Sequence, residues 1–161
     1  MAQPKSPNTM VTAPTVPNCV IFDMDGTLAD IAHRRHHVER KPKNWVAFSE
    51  GLERDTPNAP VVALAKLFHD SGMAIVVCTG REQRYEKRTR AWMETHGIPC
   101  AALYARSNKD YRGDDIVKSE LLDRILADGY RPLLVVDDRD RVVAMWRARG
   151  LTCLQCAPGD F

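Results

Sequence analysis

Three short apolar runs, rich in β-branched residues, punctuate the chain: Cys19–Phe22, Ala74–Cys78 and Leu133–Val136. None of them alternates apolar with polar positions, which is the pattern of strands covered on both faces. Weaker runs of the same kind lie at Ala101–Tyr104 and Leu151–Gln155. Between the runs the period becomes helical. Val61, Leu64, Ala65 and Phe68 follow the i, i+3, i+4, i+7 spacing of an amphipathic helix. Tyr85, Thr89, Trp92, Met93 and His96 predict a second helix before Gly97, and Val117, Leu121, Leu122 and Ile125 a third. Val142, Val143 and Trp146 predict a fourth that stops at Gly150. Strands alternating with helices imply right-handed βαβ units, hence an α/β fold with a central, mostly parallel sheet between helical layers.

Two segments fall outside this rhythm. Residues 1–17 hold four prolines and no aromatic residue, and read as a disordered leader. Residues 28–60, inserted directly after the first strand, are rich in His, Arg and Lys before a short helical stretch around Trp45, Phe48 and Leu52. Their position makes them a candidate lid, a small cap on a single domain over 18–161.

Composition narrows the possibilities. A length of 161 residues suits one domain, and 44% hydrophobic with 27% charged residues is ordinary for a globular protein. A net charge of +2 gives no argument for a polyanionic partner beyond a local basic patch. No apolar run approaches membrane-spanning length, and the N-terminus lacks the apolar core of a secretory signal. Five cysteines form no disulfide framework, which fits a reducing cytoplasm. Cys153 and Cys156 have Cys-x-x-Cys spacing but neither a second pair nor a nearby histidine, so a structural role is expected.

Chemistry gathers at the strand ends. In an open parallel sheet ligands bind beyond the carboxyl ends of the strands, and the three strong strands run into Asp23, Thr79 and Asp137. Asp23-Met24-Asp25-Gly26-Thr27 places two carboxylates at a sharp turn, a pair suited to dividing nucleophilic attack from proton transfer. Thr79-Gly80-Arg81 supplies a hydroxyl, closely approaching amides and a guanidinium, read here as a phosphate cradle opening a helix or simply a capped helix start. Asp137-Asp138 sets two carboxylates side by side, an arrangement that repels itself without a cation and suits the hard ion Mg²⁺. Lys118, near the start of a helix beginning about Asp114, gains meaning from these partners, since a solvated lysine is the ordinary alternative.

The ordered set Asp-x-Asp, Thr, Lys, Asp-Asp resembles the haloacid dehalogenase superfamily of phosphohydrolases, and spans Asp23 to Asp138. Asp23–Arg34 (DMDGTLADIAHR), Val76–Arg81 (VVCTGR), Asp114–Lys118 (DDIVK) and Val135–Phe161, with its Gly-Asp-Phe ending, are similar to the 3′-phosphatase domain of phage-type polynucleotide kinase. This resemblance implies a Rossmann-like three-layer sandwich with a small cap. It also implies an aspartyl-phosphate formed on Asp23, with Asp25 as general acid and then base. Mg²⁺ would be held by the Asp23 side chain, the Asp25 carbonyl and Asp138, with Asp137 in support. Thr79 and the Gly80 amide would bind phosphoryl oxygens, Lys118 would neutralise nucleophile and phosphate, and Arg34 and Arg81 would serve the substrate. Asp114 is expected to position Lys118 or cap its helix.

The substrate it implies is a nucleic-acid 3′-end phosphate or a nucleoside 3′-phosphate. A 5′-mononucleotide phosphatase is the second expectation and an inactive binding module a third, from another class. Asp25 argues against carbon–halogen cleavage, because a halide leaving group needs no acid whereas an alkoxide does. The chain holds no G-x-x-x-x-G-K-[ST], so phosphorylation of 5′ ends is not expected of it and a free-standing phosphatase is. No obligate protein partner is implied. The basic cluster His33–His37 is a candidate contact for a base or neighbouring phosphate, its alternative being a solvated lid face. Trp45 and Phe48 are expected to pack the lid, with base stacking the alternative for both.

Overall fold

A computed structural model describes residues 16–159. In chain order the elements are β1 (Cys19–Phe22), β2 (Ala29–Asp30), α1 (Ala32–Glu39), α2 (Trp45–Glu50), β3 (Thr56–Pro57), α3 (Ala59–Asp70) and β4 (Ala74–Glu82). They continue with α4 (Glu86–Thr95), β5 (Ala102–Arg106), α5 (Asp114–Ala127), β6 (Pro132–Asp137), α6 (Asp140–Ala148) and β7 (Cys153–Gln155). Five strands form one parallel sheet in the order β5-β4-β1-β6-β7. This is the three-layer α/β sandwich that the apolar runs imply.

The lack of alternation in the strands now has its cause. Along β1, Val20 and Phe22 belong to one apolar cluster, with Val61, Ala65, Trp92 and Met93 from α3 and α4. Cys19 and Ile21 belong to the other, with Leu121, Leu122, Val143 and Trp146 from α5 and α6. All four β1 side chains are fully buried, so each position must be apolar whichever way it points. Burying each large one contributes roughly 1.5–3 kcal/mol. The central strand is thus fixed in depth, and the residue that follows it, Asp23, is held at the carboxyl edge.

The segment 28–60 is more structured than its pattern suggests. It contains a two-stranded antiparallel pair, β2 with β3, two helices and a 3₁₀ turn at Leu52–Arg54. Leu52 lies in that turn, past the end of α2. The leader, apart from residues 16 and 17, lies outside the described residues, as do Asp160 and Phe161 of the terminal motif.

One local expectation is corrected. Thr79-Gly80-Arg81 does not open a helix: β4 runs on to Glu82, a 3₁₀ turn follows at Gln83–Tyr85, and α4 begins at Glu86. The register with β5 shifts between Thr79 and Glu82, which marks a bulge. Local hydrogen bonding explains it. The Arg81 amide donates to Thr79 Oγ1 at 3.1 Å, and the Gly80 carbonyl accepts from Arg106 Nε at 2.9 Å, so both leave the ladder. Among the described residues no helix is long and apolar enough to cross a membrane.

Candidate active site

The site lies where β1, β4 and β6 end. Asp23 follows β1, with its amide donating to the Val136 carbonyl at 3.0 Å, and Asp137 closes β6. Lys118, on α5, reaches between them: its ammonium donates to Asp23 Oδ1 at 2.6 Å and to Asp137 Oδ2 at 2.8 Å. Asp23, Lys118, Asp137 and Asp138 are all buried. Asp137 has its acceptors occupied, because Trp146 Nε1 donates to Oδ2 and the Asp138 and Arg139 amides donate to Oδ1. Among the described residues the donor to Asp23 Oδ2 and Asp138 Oδ1 is the Thr27 hydroxyl, at 3.2 and 3.5 Å.

Three carboxylates therefore face one ammonium away from water, and oxygens of Asp23, Asp137 and Asp138 all lie within 4.8 Å of one another. Burial pushes the Asp23 carboxyl well up; Lys118 opposes that, while Asp137 and Asp138 reinforce it. Asp138 is pushed up to about 6, first by burial and then by Asp137. Burial works against the Lys118 ammonium, but Asp137 and Asp23 outweigh it and hold the charge firmly. An excess of buried negative charge on oxygen-only donors fits a hard divalent cation. The turn permits the crowding: Gly26 has φ +87°, and a Cβ there would sit 2.2 Å from Asp138 Oδ2.

A second cluster is balanced. Asp25 Oδ1 accepts from Arg34 Nη2 at 2.6 Å and from Arg81 Nη2 at 2.5 Å. Asp55, buried within the segment 28–60, takes a bidentate pair from Arg34 at 2.6 Å, Arg81 Nη2 at 2.9 Å and His33 Nε2 at 2.8 Å. Burial alone would raise the Asp25 carboxyl, but Arg81 and Arg34 overcome it and hold the group well below the usual carboxylate range. As the site stands, Asp25 is ionised and has no proton to give.

The remaining residues divide. Asp114 lines the same cavity, yet its carboxylate is engaged by Arg106 and by Arg139, at 2.5 Å for the latter, and not by Lys118. The N-cap of α5 is Gly113, and Asp114 lies in the first turn, where its negative charge suits the helix N-terminus. Gly80 and Arg81 line the cavity of about 280 Å³ together with Asp23, Asp25, Lys118 and Asp138. Thr79 does not: it is 1% exposed, with its oxygen accepting from Arg81. Within the cluster 33–37 only Arg34 lines the cavity. Arg35 pairs with Glu39 at 3.2 Å, and the His36 and His37 rings contact each other.

This geometry coincides with a family match. The family model described as the polynucleotide kinase PNKP phosphatase domain matches residues 17–161. The chain belongs to that family. A solved structure of the Pnkp1/Rnl/Hen1 RNA repair complex contains a chain 31% identical to this one, with a TM-score of 0.76. The match covers 95% of this chain but 48% of that one, so this chain spans about half its length. The class C acid phosphatase from Bacillus anthracis with tungstate bound matches at 16% identity and a TM-score of 0.65, over 91% of this chain and 68% of that one. The latter shows the shared haloacid-dehalogenase-like fold. Membership of that family makes the chain a phosphatase domain of the PNKP type.

Asp55, Arg106 and Arg139 are the residues that reading the sequence missed. A charge count offered a hint for the first: Arg34 and Arg81 expected in one buried site need more than the single carboxylate of Asp25. The Asp55→Ala variant strands both guanidiniums with half their counter-charge, and should lose about 3–5 kcal/mol of folding stability. Urea denaturation checks this, and a loss under 1 kcal/mol would mean that water reaches the cluster.

The cysteines are all unpaired. Burial pushes the Cys153 thiol up to about 12 and the Cys156 thiol up to about 11, where neither is a ready thiolate. Cys156 Sγ rests against the Gly26 carbonyl at 3.9 Å and Thr27 Oγ1 at 3.7 Å. At the same edge Gly159 closes on the loop at Asp138 and Arg139: its carbonyl accepts the Asp140 amide at 2.9 Å, and a Cβ on it would clash with the Asp138 carbonyl.

Proposed function

We propose that this chain is a Mg²⁺-dependent phosphomonoesterase that removes the 3′-phosphate from nucleic-acid ends through an aspartyl-phosphate on Asp23. The observation that carries the reading is that Asp23, held through Oδ1 by Lys118, turns Oδ2 with Asp138 Oδ1 toward the weakly donating Thr27 hydroxyl, in a cavity that also exposes the Asp25–Arg34–Arg81 cluster. Membership of the PNKP phosphatase family and similarity to a chain in an RNA repair complex support the substrate class. The unpaired cysteines support a reducing, cytoplasmic setting.

The side chains of Asp23 and Asp138, with the Asp25 main-chain carbonyl, would hold Mg²⁺, and Asp137 would support them. When bound, the ion supplies charge screening between an anionic nucleophile and an anionic phosphoryl group. Asp23 attacks phosphorus in line as the ester P–O bond breaks, and the sugar 3′ oxygen leaves with a proton from Asp25. Asp25 then takes a proton from the water that cleaves the acyl phosphate, which returns the Asp23 carboxylate and releases inorganic phosphate. Lys118 holds the Asp23 carboxylate by one oxygen, and its charge lies beside the phosphoryl position. The Gly80 amide and Arg81 lie at the wall that faces that group.

The resting bonds of Asp25 bear on timing. Phosphoryl oxygens compete for the same Arg34 and Arg81 N–H groups that now depress its proton affinity. Substrate binding that draws the guanidiniums away returns Asp25 to a range where it can carry a proton. Binding thus primes the acid.

A parallel panel tests the assignment: 3′- and 5′-phosphorylated DNA and RNA oligonucleotides, nucleoside 3′- and 5′-monophosphates, and an aryl phosphate, each with Mg²⁺ or EDTA. We expect phosphate release from 3′-phosphorylated ends in Mg²⁺ and none in EDTA. Faster turnover of 5′-mononucleotides with no action on 3′ ends would instead favour a nucleotide-pool phosphatase. Inertness toward every ester would favour a binding module.

A further inference from the structure

Two aromatic rings stand out in the cavity wall because, among the described residues, the other Trp, Tyr and Phe side chains are buried or half-buried. Trp45, at the start of α2 in the lid, is 48% exposed, and Tyr111, in the loop between β5 and α5, is 85% exposed. Both line the cavity whose deeper wall carries Asp23 and Lys118. The chain's other tryptophans, Trp92 and Trp146, are 4% and 0% exposed, as is usual for so large an apolar surface. Lid packing accounts for Phe48 but not for these two. Phe48 is buried, with the Arg34 guanidinium 4.1 Å from its ring centroid. Trp45 makes an edge-type contact with Phe48, at 5.8 Å between centroids.

Charge at the mouth complements the rings. Lys43 Nζ lies 5.4 Å from the Trp45 ring centroid, and Lys43 and Arg141, both exposed, line the same cavity. Among the described residues Arg141 pairs with Asp115, at 3.9 Å. The Trp45 ring is also continuous with the catalytic cluster: Trp45 touches Phe48, Phe48 carries Arg34, and Arg34 binds Asp25. Exposed aromatic faces with interleaved cations are the elements of a single-strand platform, where bases stack and phosphodiesters meet positive charge.

Resting on the 3′-phosphatase reading above, we infer that Trp45 and Tyr111 are stacking residues for the terminal bases of a single-stranded 3′ end. The terminal phosphate descends to Asp23, while the bases remain at the mouth on these two rings and the adjoining phosphodiester lies near Lys43 and Arg141. Stacking tolerates any base, so the platform selects strand form and length instead of sequence. A 3′-phosphorylated trinucleotide is therefore a better substrate than a nucleoside 3′-monophosphate.

The test compares kcat/KM for a 3′-phosphorylated trinucleotide, a nucleoside 3′-monophosphate and an aryl phosphate, in the wild type and in Trp45→Ala, Tyr111→Ala, Trp45→Phe and Tyr111→Phe. Each alanine variant should lose roughly 5- to 150-fold on the trinucleotide, mainly through KM. That loss should exceed its loss on the aryl phosphate by about tenfold, and the phenylalanine variants should recover most of it. Titration with a 3′-hydroxyl trinucleotide, which cannot turn over, should quench tryptophan emission in the wild type and not in Trp45→Phe. Equal losses on trinucleotide and aryl phosphate, no quenching, or a wild type that treats trinucleotide and mononucleotide alike would each overturn the platform while leaving the 3′-phosphatase intact. A wild type inert toward every 3′-phosphate would overturn both.

Discussion

The Asp23→Asn variant is expected to release phosphate roughly 10⁴-fold more slowly than the wild type, or not at all, because the amide oxygen is a poor nucleophile toward phosphorus. Its fold should survive. Burial, with Asp137 and Asp138 close by, disfavours the ionised form of Asp23 in the folded protein, and Lys118 only offsets this. A carboxyl raised in the folded state lowers stability at any pH where it is ionised in the unfolded chain, and removing it lifts that cost. In EDTA the variant should therefore melt at or above the wild-type temperature. Inactivity coupled to gained stability is the signature of a group retained for chemistry. A variant both inactive and markedly less stable would instead make Asp23 a structural anchor for Lys118.

Lys118→Met should be the most destabilising single change at the site. The ammonium donates to both Asp23 and Asp137, at 2.6 and 2.8 Å. Removing it leaves three buried acids uncompensated, a defect worth about 3–5 kcal/mol. For a domain of this size that corresponds to a fall of about 6–20 °C in melting temperature. The second substitution Asp137→Asn, in the same chain, should return part of the loss, because it removes one of the stranded charges. A double-mutant cycle by chemical denaturation measures this coupling. Additive losses would show that the two side chains do not interact in solution.

Much of the framework is written in the chain because burial on both faces leaves no alternative residue type. Cys19–Phe22 and Val135–Val136 had to be apolar throughout, so their ends, and hence Asp23 and Asp137, were legible. Long-range electrostatics were not. Helix α1 buries Arg34 and Val38, and the charged residue stands where an apolar one would have signalled the helix. Arg34 is buried only because Asp25 and Asp55 meet it, and Asp55 lies 21 positions away in sequence. Spacing placed Asp114 one helical turn from Lys118, yet Arg106 and Arg139 arrive from other elements and take its carboxylate. Thr79-Gly80-Arg81 was misread for a related reason: a hydroxyl beside a glycine serves a strand bulge as well as a helix start, and the partner that decides, Arg106, comes from β5.

Nucleophilic attack by one particular carboxylate is the claim on which the rest depends. Borohydride quenching during turnover of a 3′-phosphorylated oligonucleotide, followed by peptide mass spectrometry, reads it directly, because an acyl phosphate is reduced to an alcohol at the residue that carried it. Homoserine is expected at position 23 and nowhere else, appearing only when both substrate and Mg²⁺ are present. Reduction at another aspartate, or steady phosphate release with no reduced residue, would contradict it.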